Sequence, residues 1–251
     1  MAEEDDRFAR LFSGAKGSVL GDMKAASEKD ASLDTPPPES KLTQTKLDWA
    51  RDGRMPPESP RRGRADGGGR LPPGQHLSRD WPVLDLGYKP LIPADRWELT
   101  IAGAVEAPGK FSWDAFQALP QSTLKMDIHC VTTWSTYDNV FAGVLVSDLL
   151  ARVRPRSNAA FVVLHSHDAY TTNLPLDHFA APQSLIAHSW NGEPLTRDHG
   201  GPVRAVVPSL YFWKSAKWLR QITVLEKDAP GYWETRGYHN LGDPWKQQRY
   251  G

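Results

Sequence analysis

Cys130 is the whole thiol content of this 251-residue chain. One thiol excludes an internal disulfide framework and a Cys-rich structural zinc site, and it fits a reducing compartment. Excess charge is lacking too. Thirty Lys and Arg balance thirty Asp and Glu, so bulk charge suggests neither a nucleic-acid partner nor an anionic membrane surface. No apolar run approaches the length of about 20 residues that crosses a bilayer as a helix, so no transmembrane segment is expected. Residues 1–10 are acidic and lack the apolar stretch of a secretory leader. Arg61-Arg62 is followed by Gly, Arg and Asp, which makes a poor twin-arginine signal. Cytoplasm is therefore the expected location. The chain has no His-Glu-x-x-His helix, no Cys-x-x-Cys-His haem motif, no Gly-Lys-Ser/Thr phosphate loop and no internal repeat.

What is present changes sharply near residue 75. Before it come Pro36-Pro37-Pro38, Pro56-Pro57, Arg61-Arg62-Gly63-Arg64 and Gly67-Gly68-Gly69. Such composition buries too little surface to offset ordering entropy, so residues 1–75 are expected to be a largely disordered extension. Phe8, Leu11 and Phe12 have helical spacing there and read as a transient helix in a tail. Nine of the ten tryptophans lie at or after residue 81, which places a single folded domain at 76–251. Within it, Trp97 to Ile101, Leu124 to Cys130, Phe161 to Leu164, Ser184 to Trp190, Val203 to Val207 and Trp218 to Glu226 read as strands. Ser112 and Ser147 are candidate N-caps of short helices ending before Pro120 and Pro155. The expected class is α+β, with a β-rich core of mixed sheets and few short helices.

Three groupings bear on chemistry. Cys130 ends a strand that opens into a Thr/Ser loop, where a functional group can leave a sheet. It reads as a buried apolar residue or as a working thiolate. Six histidines fall between residues 129 and 199, and His165 and His167 share a strand face suited to a metal. A Cys-His hydrolase is another option, but His129 adjoins Cys130 and successive strand residues point to opposite faces. The third grouping is His199-Gly200-Gly201-Pro202-Val203-Arg204 with Lys214-Ser215-Ala216-Lys217-Trp218. It reads either as an anion cradle, with glycines that admit close backbone approach, or as a turn with solvated basic residues.

Cys130 with Val131, Trp134 and Ser135, then Gly201-Pro202-Val203-Arg204 with Pro208, then Lys217-Trp218-Leu219, resemble the sulfite-oxidase-like molybdenum enzymes. The likeness covers residues 76–251. It is nearest the stand-alone prokaryotic branch, with the methionine sulfoxide reductase catalytic subunit a more distant relative. The resemblance implies the sulfite oxidase molybdopterin-binding fold, a molybdenum–molybdopterin cofactor and Cys130 as the catalytic molybdenum ligand. It implies that Arg204 and Lys217 hold the cofactor's phosphate and pterin, that His199 and Ser166 contact it, and that Ser215 offers backbone contacts. Trp134, His165 and Lys214 are implied more loosely, as further contacts or supporting residues.

The implied reaction is two-electron oxygen-atom transfer on a small substrate, sulfur compounds among the candidates. A charge near the metal would select anionic substrates. True sulfite oxidases carry an arginine-rich segment after the ligand cysteine. Here that segment is Thr132-Thr133-Trp134-Ser135-Thr136-Tyr137, which argues against sulfite. Without the family's immunoglobulin-like dimerisation domain a monomer is expected, and without a haem motif a separate electron carrier. A cofactor-free scaffold that keeps the fold is the alternative of another class, and a Cys-His hydrolase the third. The aromatic stretch from Pro230 to Trp245 reads as a core seal or as a wall over the substrate pocket.

Overall fold

The computed structural model describes residues 41–52 and 69–251. The helix considered around Phe8, Leu11 and Phe12 lies outside the described residues, as do 1–40 and 53–68 of the expected extension. Two β-sheets with short helices at their edges form an α+β fold. Among the described residues, no helix is long and apolar enough to cross a membrane.

The strands in chain order are β1 (His76–Leu77), β2 (Glu98–Gly103), β3 (Gly109–Ser112), β4 (Ser122–His129), β5 (Trp134–Leu145), β6 (Phe161–Ser166), β7 (Thr171–Pro175), β8 (Leu185–Trp190), β9 (Glu193–Pro194), β10 (Arg204–Val206) and β11 (Leu219–Leu225). One sheet runs β1-β5-β8-β10, with β4 also paired to β5 and β9 to β8. The other runs β3-β2-β11-β6-β7. In the second sheet β11 lies parallel to β2 and antiparallel to β6, so the two halves of the chain meet at its centre.

Sequence pattern explains most of these elements. On β2, Leu99 and Ile101 are fully buried while Glu98 and Thr100 between them are half-buried, as one-sided burial of a strand requires. Trp97 enters the core just before it and donates its indole N–H to the Leu219 carbonyl at 2.7 Å, which satisfies the polar end of a buried ring. Helix α2 (Trp113–Gln117) is capped as expected, Ser112 Oγ accepting from Ala115 N at 3.3 Å. Helix α3 (Val146–Val153) departs from expectation. Ser147 lies inside it, and Val146 N instead donates to the Ser184 carbonyl at 3.1 Å, so a neighbouring chain segment serves as the cap.

Five strands, β1, β3, β5, β7 and β9, have no counterpart in the sequence reading, and two of them shape the sheets. β5 carries the turn-like pair Asp138-Asn139, yet it is the twelve-residue strand that ties the first sheet together. Asp138 adopts φ 58° beside a register shift in the β4–β5 pairing, which makes this a bulge and not a turn. Asn139 is buried there and donates Nδ2 to the Thr136 carbonyl at 3.0 Å. β7 pairs with β6 behind the His167-Asp168 turn. Beside the register shift in the antiparallel β5–β8 pairing, Gly143 is required by close approach: a Cβ there would lie 2.0 Å from the Ile186 carbonyl oxygen.

The extension also contains structure. Helix α1 (Lys41–Arg51) buries Lys46 and Ala50, and Gly237 lies against Ala50. β1, at the start of the expected domain, adds to β5 in parallel, His76 opposite Trp134 and Leu77 opposite Ser135. A charged, proline-bordered sequence forms a helix here because tertiary burial of one face outweighs weak local propensity.

Candidate functional site

Cys130 sits at the turn of the β4–β5 hairpin. Cys130 N donates to the Trp134 carbonyl at 2.9 Å, Thr133 N to the Cys130 carbonyl at 3.1 Å, and Thr133 takes φ 75° to close the turn. Outside groups hold three of the loop's carbonyls. Gln75 Nε2 reaches Cys130 O at 3.0 Å, Arg249 Nη1 reaches Val131 O at 2.7 Å, and His76 N reaches Thr133 O at 2.8 Å. A side chain carried on such a loop keeps its direction without any further contact of its own. The thiol lies 3.2 Å from Thr132 Oγ1. Burial pushes its pKa up, while the Thr132 contact and then the Lys46 and Arg249 cations act the other way.

The thiol opens into a partly open cavity that it shares with residues from several loops. The loops around it bring together Trp134, Ser166, Arg204, Ser215 and Lys217. Arg204 starts β10 and is 1% exposed. Its guanidinium donates to the carbonyls of Ser215 at 2.7 Å and His199 at 2.8 Å, and it lies over the Phe212 ring at 4.3 Å. No carboxylate pairs with it among the described residues, and burial holds it down to about 9. Lys217 Nζ donates to the Asp198 carbonyl at 2.7 Å. Burial first, then the neighbouring Arg204 charge, brings it to about 7. Gly200, at φ 98°, allows Lys217 to sit where it does, since a Cβ there would lie 2.8 Å from the lysine's Cβ.

Arg204 is buried and Lys217 half-buried, and neither forms an ion pair among the described residues; such cations are costly in an isolated protein and favourable against an anion. Ser166 Oγ and Trp134 Nε1 are buried polar atoms with no hydrogen-bond partner among the described residues, and both residues line the same cavity. The wall is largely aromatic, with Trp81, Trp213, Trp218 and Trp233 on it. The donor set fits a large anionic ligand with a flat, polar ring system and a soft, thiolate-seeking centre.

Other residues singled out by sequence lie elsewhere. His199 stands behind the wall, its Nε2 at 3.1 Å from the Trp81 carbonyl and its Nδ1 at 3.1 Å from Thr196 Oγ1, and it reaches the cavity only through its carbonyl on Arg204. His165 lies within the second sheet, 3.0 Å from Thr223 Oγ1. Lys214 is fully buried and occupied: Nζ meets Glu234 Oε1, the Asn173 carbonyl and the Asn240 carbonyl, each at 2.6 Å. A buried lysine beside a cofactor loop in sequence has here been taken up by the core. His129 faces the other side of the hairpin, 2.8 Å from Ser135 Oγ, and burial lowers it to about 4. The described residues contain no His, Cys, Asp and Glu cluster of the kind that holds a metal ion by itself, so of the two readings of His165 and His167, zinc ligands or hydrogen-bonded histidines, the less favoured zinc reading finds no support.

Sequence reasoning missed Lys46, Asp85, Asp168 and the aromatic wall. Asp168 accepts from Tyr170 N at 3.1 Å, and burial lifts its carboxyl to about 6. The one readable trace of Lys46 was Trp49, the lone tryptophan upstream of residue 81, which marked an ordered segment within the extension. The C-terminal stretch serves both roles considered for it. Trp233 and Tyr238 line the cavity, while Glu234 and Arg249 are tied into the core. Phe212 and Trp213 line the cavity too, whereas Tyr211 is fully buried core.

Residues 87–233 match the oxidoreductase molybdopterin binding domain. The chain is 46% identical over 187 residues to the uncharacterized oxidoreductase YuiH of Bacillus subtilis (strain 168), covering 74% of this chain and 94% of that protein. It is 36% identical over 108 residues to the mitochondrial sulfite oxidase of Rattus norvegicus, covering 39% of this chain and 20% of that one. It is 27% identical over 209 residues to the NADPH nitrate reductase of Fusarium oxysporum, covering 67% of this chain and 23% of that one. The chain thus spans under a quarter of the length of the latter two. In fold it is similar to the sulfane dehydrogenase SoxCD of Paracoccus pantotrophus, with a TM-score of 0.51 at 23% identity over 55% of this chain and 40% of that one.

Proposed function

We propose that this chain, which belongs to the oxidoreductase molybdopterin-binding domain family and is a molybdopterin-dependent oxidoreductase, transfers one oxygen atom to or from a small substrate while two electrons pass in the opposite direction, with Cys130 as the molybdenum ligand. The observation that carries this reading is the pairing of one pinned thiol with a buried arginine and a half-buried lysine, neither in an ion pair among the described residues, in a single cavity. When bound, the cofactor supplies the two-electron chemistry that side chains lack.

The chain's own residues bind and orient. Cys130 offers the soft ligand, and coordination would keep it deprotonated despite its burial. Arg204 and Lys217 meet the anionic part of the cofactor, Ser166 and Trp134 supply hydrogen bonds, and the Ser215 carbonyl holds the Arg204 guanidinium in place. Trp213, Trp233 and Tyr238 narrow the space and exclude water, which strengthens each of these interactions. Asp168, lifted by burial to about 6, is largely ionised at neutral pH and can take up a proton within the same cavity only as the pH falls towards that value. Electrons are exchanged with a separate carrier. The domain runs from residue 76 to 251, and α1 adds one wall residue to it.

A Cys-His hydrolase is disfavoured, because no histidine lines the cavity among the described residues and His129 faces away. The test is metal analysis with pterin release on wild type and Cys130→Ser from a molybdopterin-producing host. Near-stoichiometric molybdenum and pterin in wild type, with metal or activity lost in the variant, is the expected result. Folded wild type without either would refute the reading.

A further inference from the structure

The cation that true sulfite oxidases carry just after the ligand cysteine is absent from this sequence, yet the cavity beside Cys130 contains another. Lys46, on α1, lines the cavity and is 6% exposed. It lies outside residues 87–233, the stretch that matches the family. Among the described residues its ammonium forms no hydrogen bond or ion pair. Its neighbour is the Trp233 ring, 5.5 Å away at the centroid. Of the carboxylates on the wall, Asp85 is paired with Lys89 at 3.8 Å and acts on Lys46 only through space, after the Cys130 thiol. Of the cations acting on the Cys130 thiol, Lys46 comes first and Arg249 second. Arg249 is committed to the Val131 carbonyl from behind the loop, whereas Lys46 faces the open space.

A buried, unpaired ammonium is expensive, so the fold gains from an anion that meets it. Arg204 and Lys217 belong with the cofactor under the function proposed above. Lys46 comes from a different segment and stands on the thiol's side of the cavity. Resting on that reading, we infer that Lys46 is the substrate-selecting cation of this protein: its ammonium holds an oxygen of a small oxyanion substrate beside the Cys130-bound centre. The residue provides charge and a donor, and it takes no part in bond making.

The test uses full-length, molybdenum-loaded protein. The five tryptophans on the cavity wall, Trp81, Trp134, Trp213, Trp218 and Trp233, report binding by fluorescence. Sulfate is titrated as the oxyanion and dimethyl sulfone as its uncharged counterpart of the same shape. Wild type should bind sulfate in clear preference to the sulfone. Lys46→Met should weaken sulfate about tenfold or more, the scale of one charge-assisted hydrogen bond, and lose the preference, while Lys46→Arg should retain it. Lys46→Gln serves in place of the methionine variant if that one melts early. No sulfate binding by wild type, or equal binding by wild type and the neutral variants, overturns the inference. So does loss of molybdenum or pterin from the Lys46 variants alone, which would assign the ammonium to the cofactor. Molybdenum missing from wild type overturns the cofactor reading instead, whichever way the titration falls.

Discussion

Replacing Lys217 with methionine should change how the stability of the cofactor-free protein depends on pH. In the folded chain burial and the nearby Arg204 charge bring the Lys217 ammonium to about 7, whereas an unfolded lysine titrates at about 10.4. Below the lower value both states bind the proton, and the cost of burying the charge is present in full. Between the two values only the unfolded chain binds it, so stability rises with pH as the folded lysine becomes neutral. Across the span from about pH 7 to about pH 9 this one group should add roughly 2 kcal/mol to the stability of the wild type. Lys217→Met removes that slope and should be the more stable protein at neutral pH, since a buried charge has been exchanged for an apolar chain of similar length. Urea unfolding of both proteins at the two pH values measures the effect, and subtracting one protein from the other cancels the groups they share. Loading the anionic cofactor should hold the ammonium charged and flatten the wild-type slope. Equal slopes in the two cofactor-free proteins would show that Lys217 is not an uncompensated cation of the cavity.

Lys214→Met should behave oppositely, because it strands the fully buried Glu234 carboxylate: a loss of about 3–5 kcal/mol in urea unfolding, with molybdenum per folded molecule unchanged. A fall in metal content without a fall in stability would return Lys214 to the cofactor site. Gly143→Ala should cost about 1–3 kcal/mol, since the new methyl meets the Ile186 carbonyl oxygen and backbone must shift; thermal melting reads it, and an unchanged midpoint would contradict the close approach of β5 and β8 at their register shift. His129→Phe should leave the alkylation rate of Cys130 in cofactor-free protein unaltered, because the imidazole sits on the far side of the hairpin. Slower alkylation would revive a Cys-His pair.

The composition of the first 75 residues read as disordered, and α1 is the part of that segment where the reading and the structure part ways. Local pattern sees proline, glycine and charge; it does not see that Ala50 and Lys46 find a ready-made surface. The same limit hid β5, whose Asp138-Asn139 pair looks like a turn until β4 and β8 flank it. The cofactor contacts carried over by resemblance divide along similar lines. Cys130, Ser166, Trp134, Arg204, Ser215 and Lys217 share one cavity, while His199, His165 and Lys214 do not line it.

The sequence by itself determined that the chain has one thiol to offer, that basic residues gather with glycine between 199 and 217, and that short strands dominate. Those are properties of residue type and spacing, which need no partner to be read. Only the tertiary structure decided which cations stay uncompensated. Lys214 and Lys217 are three residues apart and chemically identical. One meets Glu234 and the Asn240 carbonyl in the core and the other faces the cavity of Cys130 beside the Asp198 carbonyl, because pairing depends on which distant segment arrives beside each of them.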